Sequence, residues 1–229
     1  MAKNGWLGPR DHGFGEMGDR LQALCAACVE DAGVDGAGLA LLARDGTPET
    51  VHATNDVAAR VEDLQFTLGE GPCVDAAKSR AAVLIPSLAD GERRHRWPTF
   101  EREASVAGVG AIFAFPIMLG ETLLGTLDLH RTTSGGLSPQ QLSAARATVE
   151  TAAWMMIALT SDAFNDAVPE TTYRMVVHQA AGMVMMQLDN TIEEALLRLR
   201  AIAYAEDRPL HDLAADIVSR RRRLSREAE

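Results

Sequence analysis

The sequence predicts an α+β domain with an antiparallel sheet, followed by a long helix and then an all-α bundle of three helices. Between Gly36 and Arg131, short apolar runs bounded by glycine and proline alternate irregularly with helical segments. A single uninterrupted helical pattern then begins at Ser138. After Pro169, three amphipathic segments follow one another with only polar turns between them. Two domains of different class are therefore predicted.

Composition and charge agree with a folded protein of two unlike parts. Hydrophobic residues make up 47% of the 229 residues, which allows a packed core, and the net charge of −10 argues against a general binder of polyanions. Residues 171–229 contain nine basic and nine acidic side chains, so residues 1–170 carry the whole negative excess and a domain boundary is expected near 160–170. No signal-like leader and no apolar run long enough to span a bilayer is present, which predicts a cytoplasmic protein.

The first predicted element is a helix over residues 16–32, preceded by a glycine-rich, flexible leader over residues 1–15. Its apolar stripe consists of Leu21, Leu24, Cys25 and Cys28. Cys25 and Cys28 have the CxxC spacing, which also occurs in redox pairs and metal sites. No second CxxC and no HxxxH completes a site, so no metal is predicted. We expect both thiols to be reduced and to pack as small hydrophobic side chains.

Turn residues mark the elements that follow. GAGLALLA (36–43) is a predicted strand, and Asp45-Gly46 offers a tight turn into ETVHAT. A helical segment near 56–64 precedes the loop FTLGEGPCVDAAKSR, which leads into a short helix. AVLIP is a predicted strand, and WPTFEREASVAG is helical after its proline. The strands GAIFAFPIML and TLLGTLDLHR are joined by Gly120-Glu121, the clearest hairpin in the chain.

A long helix is predicted over residues 138–163, where Ser138 and Gln141 are placed for a capping box. Apolar residues recur along it with alternating spacings of three and four, as in the seam of a coiled coil: Leu142, Ala145, Val149, Ala152, Met156, Leu159 and Ala163. This seam predicts a homodimer formed through helix 138–163. The alternative is that the helix lies on the sheet of its own domain.

Three short helices are predicted after residue 171. Their inward positions hold apolar residues at helical spacing: Val177, Ala180, Ala181, Val184, Leu188, Ala195, Leu196, Leu199, Ile202, Ala203, Leu210, Leu213, Ala214, Ile217 and Val218. Thr191 and Glu194 are spaced for a capping box at the start of the second helix. Gly182 lies inside the first helix, where glycine costs about 1 kcal/mol relative to alanine. We expect Gly182 and Ala195 to let the helix backbones approach closely within the bundle.

The pattern HQAAGMV…EEALLRLRAIA…RPLHDLAADIV resembles the ANTAR domain, a three-helix RNA-binding module of transcription antitermination regulators. Positions in register with that family are Gln179, Ala180, Gly182, Ala195, Leu199, Arg200, Ala203 and Ala214. Ala181 departs from the family, which often has lysine or another polar residue there. The resemblance covers residues 172–224, which places a linker at 164–171 and a short tail at 225–229.

Residues 16–160 resemble a GAF domain, through the segments LGEGPCVDA, RWPTF and FPIMLGETLLGTLDLHR. The pairing of GAF and ANTAR domains is a familiar layout in actinobacterial regulators. The signature of cyclic-nucleotide-binding GAF domains is absent from the sequence, and no bilin or haem attachment motif is evident. The resemblance implies a sensor of a small molecule, whose identity stays open, as does that of any cofactor.

The ANTAR resemblance implies binding to twin RNA stem-loops, whose loop bases are recognised by stacking and hydrogen bonds while cations contact the phosphates. Candidate RNA-binding residues are polar side chains beside the packed faces: His178, Gln179, Arg198, Arg200, Arg208 and Arg220. Each also has a purely structural interpretation, such as solvation of an outer helix face. In the predicted homodimer, ligand binding to the GAF domain sets the spacing of two RNA-binding bundles. The alternative is a protein- or DNA-interaction module, and the near-neutral charge weighs against DNA.

Candidate ligand-binding residues in the GAF-like domain are Phe66, Cys73, Trp97, Phe113 and Phe115. Cys73 also raises two alternatives, a cysteine-based redox sensor and a GAF-type methionine sulfoxide reductase. No charged cluster that would activate this thiol surrounds it in the sequence. We therefore predict no catalytic residue and expect that the protein is not an enzyme.

Overall fold

The computed structural model describes residues 15–42, 48–89, 96–159, 173–206 and 208–225. The chain divides into two compact units between Val168 and Pro169. We refer to residues 15–159 as the N-terminal unit and to residues 173–225 as the C-terminal unit. The predicted linker and most of the predicted leader and tail lie outside the described residues. Among the helices that are described, none has the length and apolar character needed to cross a membrane.

The N-terminal unit is built around a five-stranded sheet. Its elements are α1 (Gly15–Ala32), β1 (Gly36–Leu42), β2 (Pro48–Ala53), α2 (Asp56–Leu68), α3 (Pro72–Ser79), β3 (Val83–Ile85), α4 (Pro98–Val106), β4 (Ala111–Leu119), β5 (Thr122–Arg131) and α5 (Pro139–Leu159). The strands lie in the order β2-β1-β5-β4-β3, and every neighbouring pair is antiparallel. Gly120, in the predicted turn between β4 and β5, has a positive φ of 58°, which glycine adopts easily. The predicted antiparallel α+β domain is confirmed.

One face of the sheet forms the main hydrophobic core with α1 and α5. Successive strand residues point to opposite faces, so this core receives alternate residues such as Leu39, Phe113 and Leu127. The α1 stripe packs against them, and both Cys25 and Cys28 are buried there. The cysteines therefore pack as small hydrophobic side chains, as the helical spacing predicts.

Helix α5 begins as predicted, with the Ser138 amide donating to Gln141 Oε1 at 2.9 Å and the Gln141 amide donating to Ser138 Oγ at 3.3 Å. The predicted dimer seam, however, packs inside the N-terminal unit. Its members in the main core are Leu142, Ala145, Val149, Ala152 and Met156. Because α1 and the sheet cover these side chains, the seam packs within its own domain and is not available for a coiled coil. A homodimer through another side of this helix stays a prediction. The helix lies on its own sheet, and residues 160–163 of the prediction fall outside the described residues.

The C-terminal unit is a bundle of three helices, α6 (Tyr173–Leu188), α7 (Ile192–Ala205) and α8 (Leu210–Val218). At the start of α7, the Glu194 amide donates to Thr191 Oγ1 at 3.2 Å and the Thr191 amide donates to Glu194 Oε2 at 2.8 Å. Buried residues of the bundle are Val177, Ala180, Ala181, Val184, Leu188, Ala195, Leu199, Ala203, Leu210, Leu213, Ala214 and Ile217. All of them were predicted core positions, so the bundle and its capping box are confirmed.

Gly182 does not have the predicted packing role. Helix α6 turns Ala180, Ala181 and Val184 toward the bundle, and Gly182 lies on the other side of the helix. Apart from its chain neighbours and the backbone of its own helix, no atom of the described residues comes within 4 Å of the place where a Cβ on Gly182 would stand. Ala195, by contrast, is completely buried. A small residue is thus needed for packing at Ala195, whereas nothing within the described bundle requires glycine at position 182.

Candidate ligand-binding face and RNA-binding surface

The second face of the sheet carries a buried row of polar residues. Thr126, Asp128 and His130 alternate along β5 on the side away from the main core, and all three are almost completely buried. Gly38 of β1 stands opposite Asp128. A Cβ on Gly38 would overlap the Glu62 Oε1 atom of α2. The glycine therefore makes room for a polar side chain of the covering helix directly above the sheet.

A chain of hydrogen bonds connects this strand with helices α2 and α3. Gln65 Nε2 donates to Asp128 Oδ2, and the Cys73 backbone amide donates to Gln65 Oε1 at 2.7 Å. Cys73 Sγ lies 3.1 Å from Thr126 Oγ1, where either atom can be the donor. Since Thr126 and Asp128 share one face of β5, these bonds close a ring through α2, α3 and β5. We call Gln65, Cys73, Thr126 and Asp128 the polar ring.

Glu62 adds a second carboxyl group beside the polar ring. It lies one helical turn before Gln65, is only 4% exposed, and accepts a hydrogen bond from the Thr50 hydroxyl at 3.2 Å. Burial, and then the charge of Glu62, raises the pKa of Asp128 well above its ordinary value. A hydrogen bond between the Asp128 and Glu62 carboxyl groups raises this pKa further, and Asp128 Oδ1 accepts no hydrogen bond from an N–H or hydroxyl group of the described residues. This face is therefore a buried acidic site in which the protonated form of Asp128 is favoured.

The acidic site has the chemistry for binding a polar organic group. A protonated carboxyl can donate a hydrogen bond and an ionised one accepts them, so Asp128 can adapt to either kind of partner. A donor group of a ligand can bond to Asp128 at the buried Oδ1 atom or, in place of Gln65, at Oδ2. Within the described residues, no group of three or more His, Cys, Asp or Glu side chains is arranged to hold a metal ion.

Three of the predicted ligand-binding residues lie on this side of the sheet. Cys73 is part of the polar ring, and Phe66 is buried on α2, which also carries Gln65. Trp97 is buried in a neighbouring apolar cluster and packs edge-on against Phe100, with ring centroids 6.4 Å apart. Of these three, only Cys73 is part of the polar ring, and contact of Phe66 and Trp97 with a ligand stays a prediction.

Phe113 and Phe115 lie on the opposite side. Both point from β4 into the main core with α1 and α5. Because Ile112 and Ala114 are the β4 residues that face the other way, the two phenylalanine rings cannot line a pocket shared with Cys73. The structure thus separates Phe113 and Phe115 from Cys73, and their contact with a ligand stays a prediction.

The sequence prediction missed Glu62, Gln65, Thr126 and Asp128. A signal for them was present in TLLGTLDLHR, where Thr, Asp and His occupy alternate positions of a strand. Alternation of polar with apolar residues normally marks a strand with one solvated face. Here helices cover the polar face as well, so only the tertiary structure shows that the polar residues are buried.

The two cysteines of α1 are expected to be chemically inert in the folded protein. Burial raises the pKa of Cys25 to about 12, and burial also raises the pKa of Cys28. Since the thiolate is the reactive form, iodoacetamide at about pH 8 should modify neither residue in the native protein. In denaturant, mass spectrometry should find all three free cysteines alkylated. Native modification of Cys25 or Cys28 at the rate of an unfolded thiol would contradict this prediction.

Four of the predicted RNA-binding residues flank the packed faces of α6 and α7. Gln179 is exposed, and His178, Arg198 and Arg200 are half-buried. Burial lowers the pKa of Arg200, but arginine stays charged in proteins. The positions agree with side chains that border the bundle core, and their contact with RNA stays a prediction.

Arg208 belongs to an ion-pair network at the end of the bundle. Its Nη2 donates to Asp216 Oδ2 at 2.7 Å, and Arg221 Nε donates to Asp216 Oδ1 at 2.9 Å. Arg222 donates twice to Glu206, at 2.6 and 2.7 Å. Hydrogen bonds from these arginines hold the pKa values of Asp216 and Glu206 below their ordinary values. The two carboxylates neutralise part of the basic charge that the sequence places in this region.

Arg220 and Arg223 supply the basic charge that remains at this end. Both are exposed, and neither forms an ion pair with another described residue. Arg220 adopts a left-handed conformation with φ of 60°, directly after the end of α8. Of the six predicted RNA-binding residues, Arg220 thus has the most accessible charge.

An antiparallel sheet covered by helices on both faces, followed by a three-helix bundle, defines a protein of two domains of different class. The chain belongs to the GAF domain family, whose model matches residues 16–156. The ANTAR domain model matches residues 170–218. Both resemblances drawn from the sequence are confirmed. The pairing is the general architecture of a regulator, a sensor domain followed by an RNA-binding antitermination module.

Solved structures share the fold of the N-terminal unit. A domain of a two-component sensor histidine kinase protein from Sinorhizobium meliloti 1021 aligns with a TM-score of 0.51 and 13% identity, covering 65% of this chain and 95% of that one. The GAF domain of a phosphoenolpyruvate-protein phosphotransferase from Coxiella burnetii aligns with a TM-score of 0.50 and 14% identity, covering 66% and 88%. At such identities the likeness shows the fold alone. No curated protein matches the sequence.

Proposed function

We propose that this protein is a transcription antitermination regulator, in which ANTAR modules bind the loops of paired RNA hairpins and the GAF domain senses a small molecule. The observation that carries the proposal is the ANTAR match over residues 170–218, on a bundle in which most predicted core residues are buried and Leu196, Ile202 and Val218 are half-buried. The proposal assigns no catalytic step to the chain. It places the protein in the cytoplasm, with its RNA.

The charge of the C-terminal unit supports recognition of loops over general binding to phosphates. Residues 171–229 have as many acidic as basic side chains, and Asp216 and Glu206 pair with three of the arginines. Only a modest attraction for phosphates is left, so specificity must come from contacts with unstacked bases. Two modules on one RNA offset weak binding by each, because the second binds at a high effective concentration.

The polar ring is the proposed sensory site. A ligand group that replaces Gln65 as the partner of Asp128 would break the ring that links α2, α3 and β5. At the end of β5, Arg131 donates to the Gly33 carbonyl at 3.0 Å and to the Gly136 carbonyl at 3.1 Å. These bonds fasten the strand to the end of α1 and to the start of α5. Movement of β5 can therefore reach both outer helices.

A second copy of the chain is proposed to dock on the outward side of α5. Trp154 is 71% exposed there, in line with the exposed Ala147 and Thr151. Large exposed tryptophans are typical anchors of protein interfaces. In this proposal the dimer surface is the outward side of α5, in place of the inward-facing seam. Because α5 contacts the second copy directly, a movement of α5 is transmitted to that copy.

Trp154→Glu is expected to make the protein monomeric and to reduce its affinity for a twin-hairpin RNA to that for a single hairpin. A charge at the centre of an apolar contact disfavours association. Light scattering measures the mass, and fluorescence anisotropy measures the affinity. Val106→Glu is the matched control, because Val106 is also exposed but lies on α4. A wild-type protein that is monomeric with and without RNA would contradict the proposed dimer.

Fluorescence anisotropy with labelled RNA tests the proposed function. The wild-type protein is titrated with a twin hairpin, a single hairpin and a twin hairpin with scrambled loops, at two salt concentrations. The proposal predicts tight binding to the twin hairpin alone, with part of the affinity kept at the higher salt. Equal, weak binding to all three RNAs that disappears with salt would mean only phosphate attraction. That result would overturn the proposed function.

A further inference from the structure

The outward side of α6 presents a glycine at its centre. Gly182 is one helical turn after the exposed Gln179 and one turn before Met186, which is 78% exposed. Beyond its chain neighbours and its own helix backbone, a Cβ at Gly182 would meet no atom of the described residues within 4 Å. Met183 is half-buried beside it. We call Gln179, Gly182, Met183 and Met186 the glycine face.

The bundle itself gives no reason for this glycine. Glycine is the least favourable helix residue after proline, because it loses the most backbone freedom on folding. Gly182 is inside a regular helix and is not among the residues with positive φ, so its backbone does not require glycine. The space around it would accept alanine. The missing side chain leaves the backbone of α6 open to a partner on the outside of the helix.

The chemistry of the glycine face indicates what that partner is. Helix α6 contains no aspartate or glutamate in its sixteen residues, YRMVVHQAAGMVMMQL. The outward side of α7, in contrast, carries the exposed Glu193 and Glu194. A surface without carboxylates allows a phosphate backbone to come close. Methionine side chains adapt to flat apolar surfaces, and a glutamine amide can form paired hydrogen bonds with a base edge.

We propose that the glycine face is where an RNA loop lies directly against the helix, with Gly182 at the point of closest approach. Met183 and Met186 contact the faces of unstacked bases, and the Gln179 amide bonds to a base edge. This inference rests on the proposed function and specifies the surface through which it acts. It adds residues that contribute shape and apolar contact to the arginines that contribute charge.

Gly182→Ala tests the proposal, because the same methyl group should act in opposite directions on folding and on binding. Alanine is the better helix former and meets open space, so the melting temperature should rise or stay constant. Affinity for the twin-hairpin RNA, measured by anisotropy, should fall by about tenfold or more. Gly182→Leu should bind still more weakly. Ala201→Leu is the matched control, since Ala201 is exposed on α7, and it should bind as the wild type does.

Three results would overturn the inference. If Gly182→Ala and Gly182→Leu bind the twin hairpin as tightly as the wild type does, the RNA does not touch this face, and the proposed function still stands. If the variants change the mass in light scattering while a single hairpin still binds with wild-type affinity, the face contacts protein. If the wild-type protein does not distinguish hairpin loops at all, the proposed function fails and this inference fails with it. A loss of affinity for single and twin hairpins, with unchanged mass and a melting temperature no lower than that of the wild type, is the supporting result.

Discussion

Replacing Asp128 by asparagine is expected to make the protein more stable near pH 8, by about 1–3 kcal/mol in the free energy of unfolding. Asp128 is almost completely buried, and its Oδ1 atom accepts no hydrogen bond from an N–H or hydroxyl group of the described residues. Asparagine would keep an oxygen for the Gln65 amide and would add a donor for the carboxylate of Glu62. Urea unfolding of the wild type and of Asp128→Asn measures the difference.

The pH dependence of this effect follows from the raised pKa of Asp128. The pKa is higher in the folded protein than the ordinary value of 3.8, so folding retains a proton that the unfolded chain releases. Between about pH 4 and the raised pKa, increasing pH therefore lowers the stability of the wild type. Asp128→Asn has no proton to lose at this position. The stability gained by the variant should consequently grow with pH.

Asp35 provides a control, because its replacement by asparagine is expected to change the stability in the opposite direction. Its Oδ2 accepts hydrogen bonds from the Thr132 amide at 2.7 Å and from the Thr132 hydroxyl at 2.8 Å, and these bonds hold the pKa of Asp35 below its ordinary value. The resulting stability is present above the unfolded pKa and is lost as pH falls through the folded pKa. Asp35→Asn should therefore lower stability near neutral pH. If Asp128→Asn also lowered it, Asp128 would be a well-satisfied ionised group, contrary to the description above.

Leu213→Ala is expected to unfold the ANTAR module and to abolish RNA binding while the GAF domain stays folded. Leu213 is completely buried in the bundle, and a buried Leu→Ala change costs about 2–5 kcal/mol. At 0.05–0.15 kcal/mol per residue, the C-terminal unit has a total stability of only about 3–8 kcal/mol. One substitution therefore removes most of its stability.

Two spectroscopic signals separate the modules. Trp97 and Trp154 lie in the N-terminal unit, and Trp6 lies outside the described residues, so both proteins are compared in a Trp6→Phe background. In Leu213→Ala, the unfolding transition followed by tryptophan fluorescence should have the wild-type midpoint temperature. Far-ultraviolet circular dichroism should show that helix is lost at a lower temperature than in the wild type. Ile192→Ala, at a more exposed position of the same bundle, is the control that should keep RNA binding. Wild-type RNA affinity in Leu213→Ala would contradict the prediction.

Short-range patterns predicted most of the fold. The hairpin at Gly120-Glu121 and the capping boxes at Ser138 and Thr191 depend on contacts between residues at most three positions apart. Such contacts form in the same way whatever surrounds them. The core of the C-terminal bundle was also predicted correctly, because three adjacent amphipathic helices can bury their apolar sides only against one another.

The candidate sites were predicted less completely. The spacing of apolar residues shows that a side chain is turned inward, but it does not show which residues that side chain contacts. Cys73 was identified, but its partners Gln65 and Asp128 come from distant parts of the chain. Phe113 and Phe115 were assigned to the pocket, although strand alternation sends them to the opposite face. Which face holds the pocket depends on which helices cover it.

The sequence by itself determined the two domains, their families, the strands and helices, and the residues that face inward. Those properties follow from local periodicity and from motifs that lie close together in the chain. Only the tertiary structure decided that the seam of α5 packs against the sheet of its own domain, that Asp128 is buried beside Glu62, and that Gly182 faces outward. The physical reason is that hydrophobic burial has no direction. A helix face made of apolar or small residues can be covered by its own domain, by a second copy or by an RNA loop. Only the folded arrangement shows which faces are already covered.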